Sequence, residues 1–141
     1  MKIEHLAIWV SDLEKMRTFY ESYFSAKAGE LYHNPTKQFH SYFLSFESGS
    51  RLELMHRPDI PANLNDLKQQ YIGLIHFAIS VGSKEKVNTL TEQLRQNGFP
   101  VIGEPRTTGD GYYESVVLDP CLLYTSPSPR DATLSRMPSS A

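Results

Sequence analysis

The sequence has a single cysteine, Cys121, no long apolar run and no cluster of Lys or Arg, and each shortage removes a class of protein. One cysteine permits no internal disulfide framework, and a lone thiol fits a reducing compartment. Fourteen basic residues stand against sixteen acidic ones, for a formal charge of −2. Their even spread gives no electrostatic footprint for nucleic acid or an anionic membrane. The first residues, MKIEHLAIWV, pass from Met straight into a strand-like run, without the apolar length and small-residue cleavage site of an export signal. The expectation is a cytoplasmic protein with neither nucleic acid nor membrane as partner. What is present, 141 residues with 40% hydrophobic side chains, is enough for one domain with a core or for two small fused modules.

The chain repeats itself at an offset of 71 residues. His5-Leu6-Ala7-Ile8-Trp9-Val10 falls on His76-Phe77-Ala78-Ile79-Ser80-Val81, and the register continues without a gap through Glu14/Glu85, Lys15/Lys86, Thr18/Thr89 and Glu21/Glu92. Self-similarity of this kind points to two copies of one structural unit. Each copy opens with alternating β-branched and aromatic residues and then shifts to a period near 3.6, so a strand leads into a helix. In the first copy Ser11 and Glu14 have capping-box spacing, and Leu13, Met16, Phe19 and Tyr23 form the apolar stripe of a helix reaching about Phe24. In the second, Val87, Leu90 and Leu94 form the stripe, and Asn97-Gly98 before Pro100 ends a helix running from about Ser83 to Asn97.

Strand-like runs follow at about Gln38 to Phe46 and Arg51 to His56, turned by Ser48-Gly49-Ser50. Pro100 to Thr108 reads as loop or edge strand, and Tyr112 to Leu118 as a strand closed by Asp119-Pro120. The organisation expected is a first module over 1–57, a linker over 58–71 with room for a short helical turn, and a second module over 72–120. By the repeat, Asp119-Pro120 should lead into a turn and a last strand. The chain instead reads CLLYTSPSPRDATLSRMPSSA, rich in Ser and Pro and without sustained period, the composition of a disordered or appended tail. Residues 121–141 are therefore expected to be a non-native or disordered extension, beginning near Cys121, where local pattern and global fold stop agreeing.

The chemistry-bearing residues follow from the strand alternation. Ile3, His5, Ala7 and Trp9 share one face, and Leu6, Ile8 and Val10 the face toward the helices. His76, Ala78 and Ser80 repeat the arrangement, and Glu53 shares a face with Arg51 and Met55 while Leu52 and Leu54 face the helix. Two imidazoles and one carboxylate thus point away from the core side. A carboxylate in an otherwise apolar strand is costly to bury unless paired or bound to metal, and a two-histidine, one-carboxylate set is a common first shell for transition ions. Taken singly, either histidine is more often a satisfied structural residue, and Glu53 could pair with Arg51 or a neighbouring strand. Three coincidences of position favour the metal site.

HLAIWV with its SDLEKMRTFY helix, the RLELM strand, the GLIHFAISV strand and GYYESVVLDP resemble the two βαβββ modules of the vicinal-oxygen-chelate superfamily, which includes glyoxalases, bleomycin-resistance proteins and extradiol dioxygenases. The resemblance covers residues 1–120. It implies an α+β fold in which the two modules form a curved mixed sheet around a metal site, with helices on the outer face. It implies His5, Glu53 and His76 as ligands of one divalent transition metal (Zn, Ni, Co, Mn or Fe), a small-molecule substrate and a homodimer. A fourth ligand, a glutamate on the last strand, is expected near Ser126 by the turn motif or Tyr124 by the repeat offset, and neither is a carboxylate.

The leading functional expectation is a glyoxalase-I-like lyase that stabilises an enediolate on the metal, with a glutamate or water moving the proton; Glu53 is the catalytic candidate. The alternatives are a metal-free binding protein of the bleomycin-resistance kind and an Fe(II) extradiol dioxygenase, although the latter usually carry four modules and this chain shows two. His33, His40 and His56 have no partner spacing and read as surface or loop histidines. Tyr42, Phe46, Tyr112 and Tyr113 read as core or sheet-surface aromatics, and Arg106 as a solvated arginine that could instead hold an anionic group.

Overall fold

The computed structural model describes residues 1–65 and 69–128, with the backbone alone at 124–126. It divides into two compact units. The first comprises Met1–His76 together with Leu118–Tyr124, and the second comprises Phe77–Val117 and the chain from Thr125.

In the first unit β1 (His5–Trp9) leads into α1 (Leu13–Phe24), followed by β2 (Lys27–Ala28), β3 (Tyr32–Asn34), β4 (Phe39–Ser45) and β5 (Arg51–His56). The sheet order is β1-β5-β4-β2, with β3 also paired to β4. The β1–β5 pair is parallel and the others are antiparallel. Strands β2 and β3 are in effect one interrupted edge strand, so the unit keeps the expected βαβββ plan. Asp12, not Ser11, caps α1: its extended backbone presents a carboxylate that accepts from Lys15 N at 2.9 Å. That bond satisfies one of the helix's orphan amides. The helix ends at Ser25, in the left-handed region at φ 53°.

Helix α1 packs Met16, Phe19, Tyr20 and Phe24 against Leu44, Leu52 and Leu54, all buried. Each such side chain contributes about 1.5–3 kcal/mol on leaving water. Tyr20 and Phe24 take the inner positions while Leu13 and Tyr23 are half-buried, a rotation of the stripe relative to its expected centre. Strand burial alternates as expected. Ile8, Leu52 and Leu54 are buried on the helix side, and His5, Ala7 and Trp9 are exposed on the other.

The second sheet, made mainly by the second unit, comprises β6 (His76–Ser80), β7 (Val101–Thr107), β8 (Tyr113–Leu118) and β9 (Tyr124–Ser128) in the order β6-β9-β8-β7, with α2 (Lys84–Gln96) between β6 and β7 in the chain. The starts of β6 and α2 lie 71 residues after those of β1 and α1, so the repeat read in the sequence is a repeat of structure. Ser83 caps α2 through Lys86 N at 3.2 Å. At the other end Gly98, at φ 84°, allows Phe99 N to reach back to Leu94 O at 3.0 Å, the left-handed closure that glycine permits. Thr91 rather than Leu90 joins Val87 and Leu94 in the buried stripe. Its hydroxyl satisfies itself at Val87 O (2.6 Å) and Ser115 Oγ (2.7 Å), which is how a polar group is kept inside. β7, with Pro105, is the edge strand of this sheet, a place where a missing N–H is tolerated.

The expectation that the sheet lacks its last strand is corrected. Residues 124–128 form β9, between β6 and β8, in the place that β5 holds in the first sheet. Ladder bonds are made by backbone groups, so a segment without hydrophobic alternation still pairs, and Val81 N donates to Ser128 O at 2.6 Å. Asp119 makes the turn into β9. Its carboxylate accepts from Cys121 N (2.8 Å) and Leu123 N (3.0 Å). The remainder of the expected tail, 129–141, lies outside the described residues. Among those described, no helix is long and apolar enough to cross a membrane.

Candidate functional site

The register of β1 on β5 sets the site. Parallel pairing puts His5 beside Arg51 and Ala7 beside Glu53, so the His5 and Glu53 side chains stand on one face one step apart. His5 Nε2 lies 3.8 Å from Glu53 Oε2, with the Glu53 side chain 14% exposed. Two donors bound to one ion at about 2.0–2.2 Å stand at most about 4.4 Å apart. The pair as it stands therefore spans a separation that a single ion can bridge.

The other ring nitrogen of His5 is held. Glu4 Oε2 is 2.5 Å from Nδ1, and Glu4 Oε1 accepts from Arg51 Nε at 2.7 Å. The hydrogen bond with His5 is the largest influence and draws the Glu4 carboxyl below its ordinary pKa; desolvation opposes it, and the Arg51 guanidinium adds to the lowering. A carboxylate on one imidazole nitrogen fixes the tautomer and ring orientation, and leaves the opposite nitrogen as the donor, as second-shell carboxylates do for metal-bound histidines. Arg51 is thus spent on Glu4 and lies over the Phe43 ring at 4.2 Å, so the alternative pairing of Glu53 with Arg51 does not occur. Phe43 also meets His5 edge-on at 5.3 Å. Beyond it on this face Trp9 packs edge-on against Phe39, 6.0 Å away.

His76 opens β6 with its side chain exposed. Among the described residues no three His, Cys, Asp or Glu side chains are gathered closely enough to hold a metal ion, so the structure brings together His5 and Glu53 but does not add a third donor to them. Nothing is described of the side chains at Tyr124 and Ser126. Glu4 was missed by the sequence reading because alternation assigns neighbours to opposite faces. Glu4 lies just before β1 begins, where the strand constraint lapses.

The remaining candidates are structural. Tyr42 points to the helix side and donates to Glu14 Oε1 at 2.8 Å; that bond raises its pKa. Tyr113 donates to Asn88 of α2 at 2.7 Å. Arg106 is exposed, and its guanidinium lies so close over Gly103 that a Cβ there would meet it at 2.9 Å. A cleft of about 300 Å³ in the first unit is lined by Ile8, Trp9, Ile60, Pro61, Asn63, Cys121 and Leu123. It includes neither His5 nor Glu53.

Residues 2–121 match the model of the Glyoxalase/Bleomycin resistance protein/Dioxygenase superfamily. The chain belongs to that superfamily. Its fold is similar to that of glyoxalase I from Zea mays (TM-score 0.75, 21% identity), covering 94% of this chain but 46% of the maize one. A glyoxalase family protein from Enterococcus faecalis is alike over 90% of this chain and 96% of its own length (TM-score 0.72, 23% identity). A glyoxylase/bleomycin resistance protein/dioxygenase domain from Frankia sp. EAN1pec gives TM-score 0.75 at 17% identity, over 91% of this chain and 96% of the other. The chain thus spans less than half of the maize enzyme, and these identities speak for the fold alone. Comparison with curated proteins finds no match. Members of the superfamily act on small molecules and often bind a metal.

Proposed function

We propose that the chain is a metal-dependent enzyme of the glyoxalase-I type, a lyase or isomerase acting on a small substrate with two neighbouring oxygens. The observation that supports it is the His5–Glu53 pair, with Glu4 locked onto the far nitrogen of His5. His5, Glu53 and His76 would hold one divalent transition ion, and their imidazole and carboxylate donors suit Zn, Ni, Co, Mn and Fe alike. When bound, such an ion would polarise both substrate oxygens and stabilise the charge of an enediolate. Glu4 keeps the His5 ring oriented while substrate binds. Glu53 would take the proton from substrate carbon, and Phe43 supports the His5 ring edge-on. The same reading includes a homodimer working in the cytoplasm.

Elemental analysis after exhaustive dialysis tests the reading. Wild type should retain one tightly held ion per chain, His5→Ala and His76→Ala should lose it, and His33→Ala should keep it. Equal metal content in all of them would overturn it. A second reading, a metal-free binder of the bleomycin-resistance kind, is favoured by one observation: β9, in the place that β5 holds in the first sheet, reads Tyr-Thr-Ser-Pro-Ser and offers no carboxylate. A chain that dialyses free of metal and still folds would support that reading.

A further inference from the structure

The sequence reading gave His33, His40 and His56 no partners, yet the strand register lines them up. His33 on β3 faces His40 on β4 in the antiparallel pairing, and His40 in turn faces His56 on β5. The His33 and His40 rings stack at 4.2 Å between centroids with 5° between their planes. His56 is held by an Nδ1 contact of 3.0 Å to Val10 O. A carbonyl only accepts, so Nδ1 of His56 carries the proton. By alternation this row lies on the face of the sheet opposite Glu53, since Glu53 and His56 are three positions apart on one strand. It is separate from the site described above.

We infer that His33 and His40 form a second site for a divalent transition ion of the Ni, Cu or Zn type, built on the β3–β4 hairpin. Two nitrogens bound at about 2.0–2.1 Å to one ion stand no more than about 4.2 Å apart, a reach available to cross-strand neighbours whose ring centroids lie 4.2 Å apart. In the stack the lone pairs lie in nearly parallel planes, so the exposed His33 and half-buried His40 imidazoles turn about their side-chain torsions to converge on the ion, and the other coordination positions are left to water. The hairpin fixes the strands beforehand. Asn34 Oδ1 accepts from Lys37 N at 3.1 Å, Gln38 N donates to Pro35 O at 3.3 Å, and Gln38 takes the left-handed conformation at φ 48°. Binding therefore orders two side chains and no backbone, and imidazole is the donor that suits these ions. Neither ring hydrogen-bonds to another described side chain, so the ring stack is the contact that binding exchanges for the two metal bonds. With two protein donors the site is weaker than a three-ligand one.

Titration of NiCl2 or ZnCl2 into the full-length chain, followed by calorimetry and by NMR of the histidine ring protons, tests this. In the His5→Ala protein, where the first site is removed, one ion should still bind. Ni(II) should broaden the His33 and His40 ring signals first. Replacing either residue, as His33→Gln or His40→Gln in that background, should weaken the binding tenfold or more, with circular dichroism showing the fold retained. Because His33 is exposed, its replacement gives a folded protein even if His40→Gln does not. Absence of binding to the His5→Ala protein, or binding that survives both replacements, would overturn the inference. Neither result bears on the His5–Glu53 reading, which is measured by the tightly held ion.

Discussion

Replacing Asp119 with alanine should destabilise the fold more than any other single polar change in the first unit. The side chain is 1% exposed. Its Oδ1 accepts from two backbone amides, Cys121 and Leu123, and its Oδ2 from Tyr20 Oη at 2.9 Å. A hydrogen bond to a charged group contributes about 1.5–3 kcal/mol, so three would total roughly 4–9. Burial of the carboxylate opposes this, and its desolvation raises the Asp119 pKa above the ordinary value despite all three bonds. A net loss of about 2–4 kcal/mol remains. That corresponds to roughly 1–2 M in urea midpoint at the usual slope for a small protein.

The pH dependence has a definite sign. A raised pKa means that the folded state prefers the protonated acid. The favourable contribution is complete below the ordinary value of about 3.9 and is lost as pH rises through the raised one. Asp119→Asn keeps an oxygen for the amides and cannot ionise, so it should cost about 1 kcal/mol near pH 4, with the gap to wild type narrowing toward pH 7. Urea unfolding followed by circular dichroism at both pH values reads this directly. A loss below about 1 kcal/mol in Asp119→Ala, or a gap for Asp119→Asn that widens with pH, would refute the reasoning.

Three further outcomes are expected. If the chain holds a metal as proposed, Glu4→Gln should weaken its binding about 10–100-fold while leaving the urea midpoint unchanged, because Glu4 is exposed; unchanged metal affinity would remove its orienting role. Asp12→Ala should cost about 1 kcal/mol through loss of the α1 cap and Ser11→Ala almost nothing, a comparison that thermal melting resolves. Thr91→Val leaves the Ser115 hydroxyl without its buried partner and should cost about 1–3 kcal/mol, with Thr91→Val/Ser115→Ala recovering part of that loss in a double-mutant cycle.

The repeat, both helices and the inward and outward faces of β1, β5 and β6 were legible because they rest on local periodicity. The His5–Glu53 pair was legible at one remove, since both faces could be read and the two strands happen to pair directly. Asp12 displaced Ser11 as cap, and Thr91 displaced Leu90 in the core, because each found a hydrogen-bond partner that spacing alone does not reveal. The His33–His40 stack depends on hairpin register, and no spacing along the chain encodes it. Strand β9 was missed for a different reason. Its pairing is made by backbone and by the turn that Asp119 organises, and both Pro127 and the serine-rich composition argued against it.

The bond between Tyr20 and Asp119 joins residues 99 apart, and this has a consequence for how the protein is made. At synthesis rates of about 5–20 residues per second, Tyr20 is added to the chain roughly 5–20 s before its acceptor exists. During that interval helix α1 can form and lie on its sheet, but the carboxylate that receives the Tyr20 hydroxyl has not been translated. The first unit therefore waits on Asp119 for this bond. A ribosome stalled before residue 119 should present a first unit open to proteases, and release of a chain that includes Asp119 should close it.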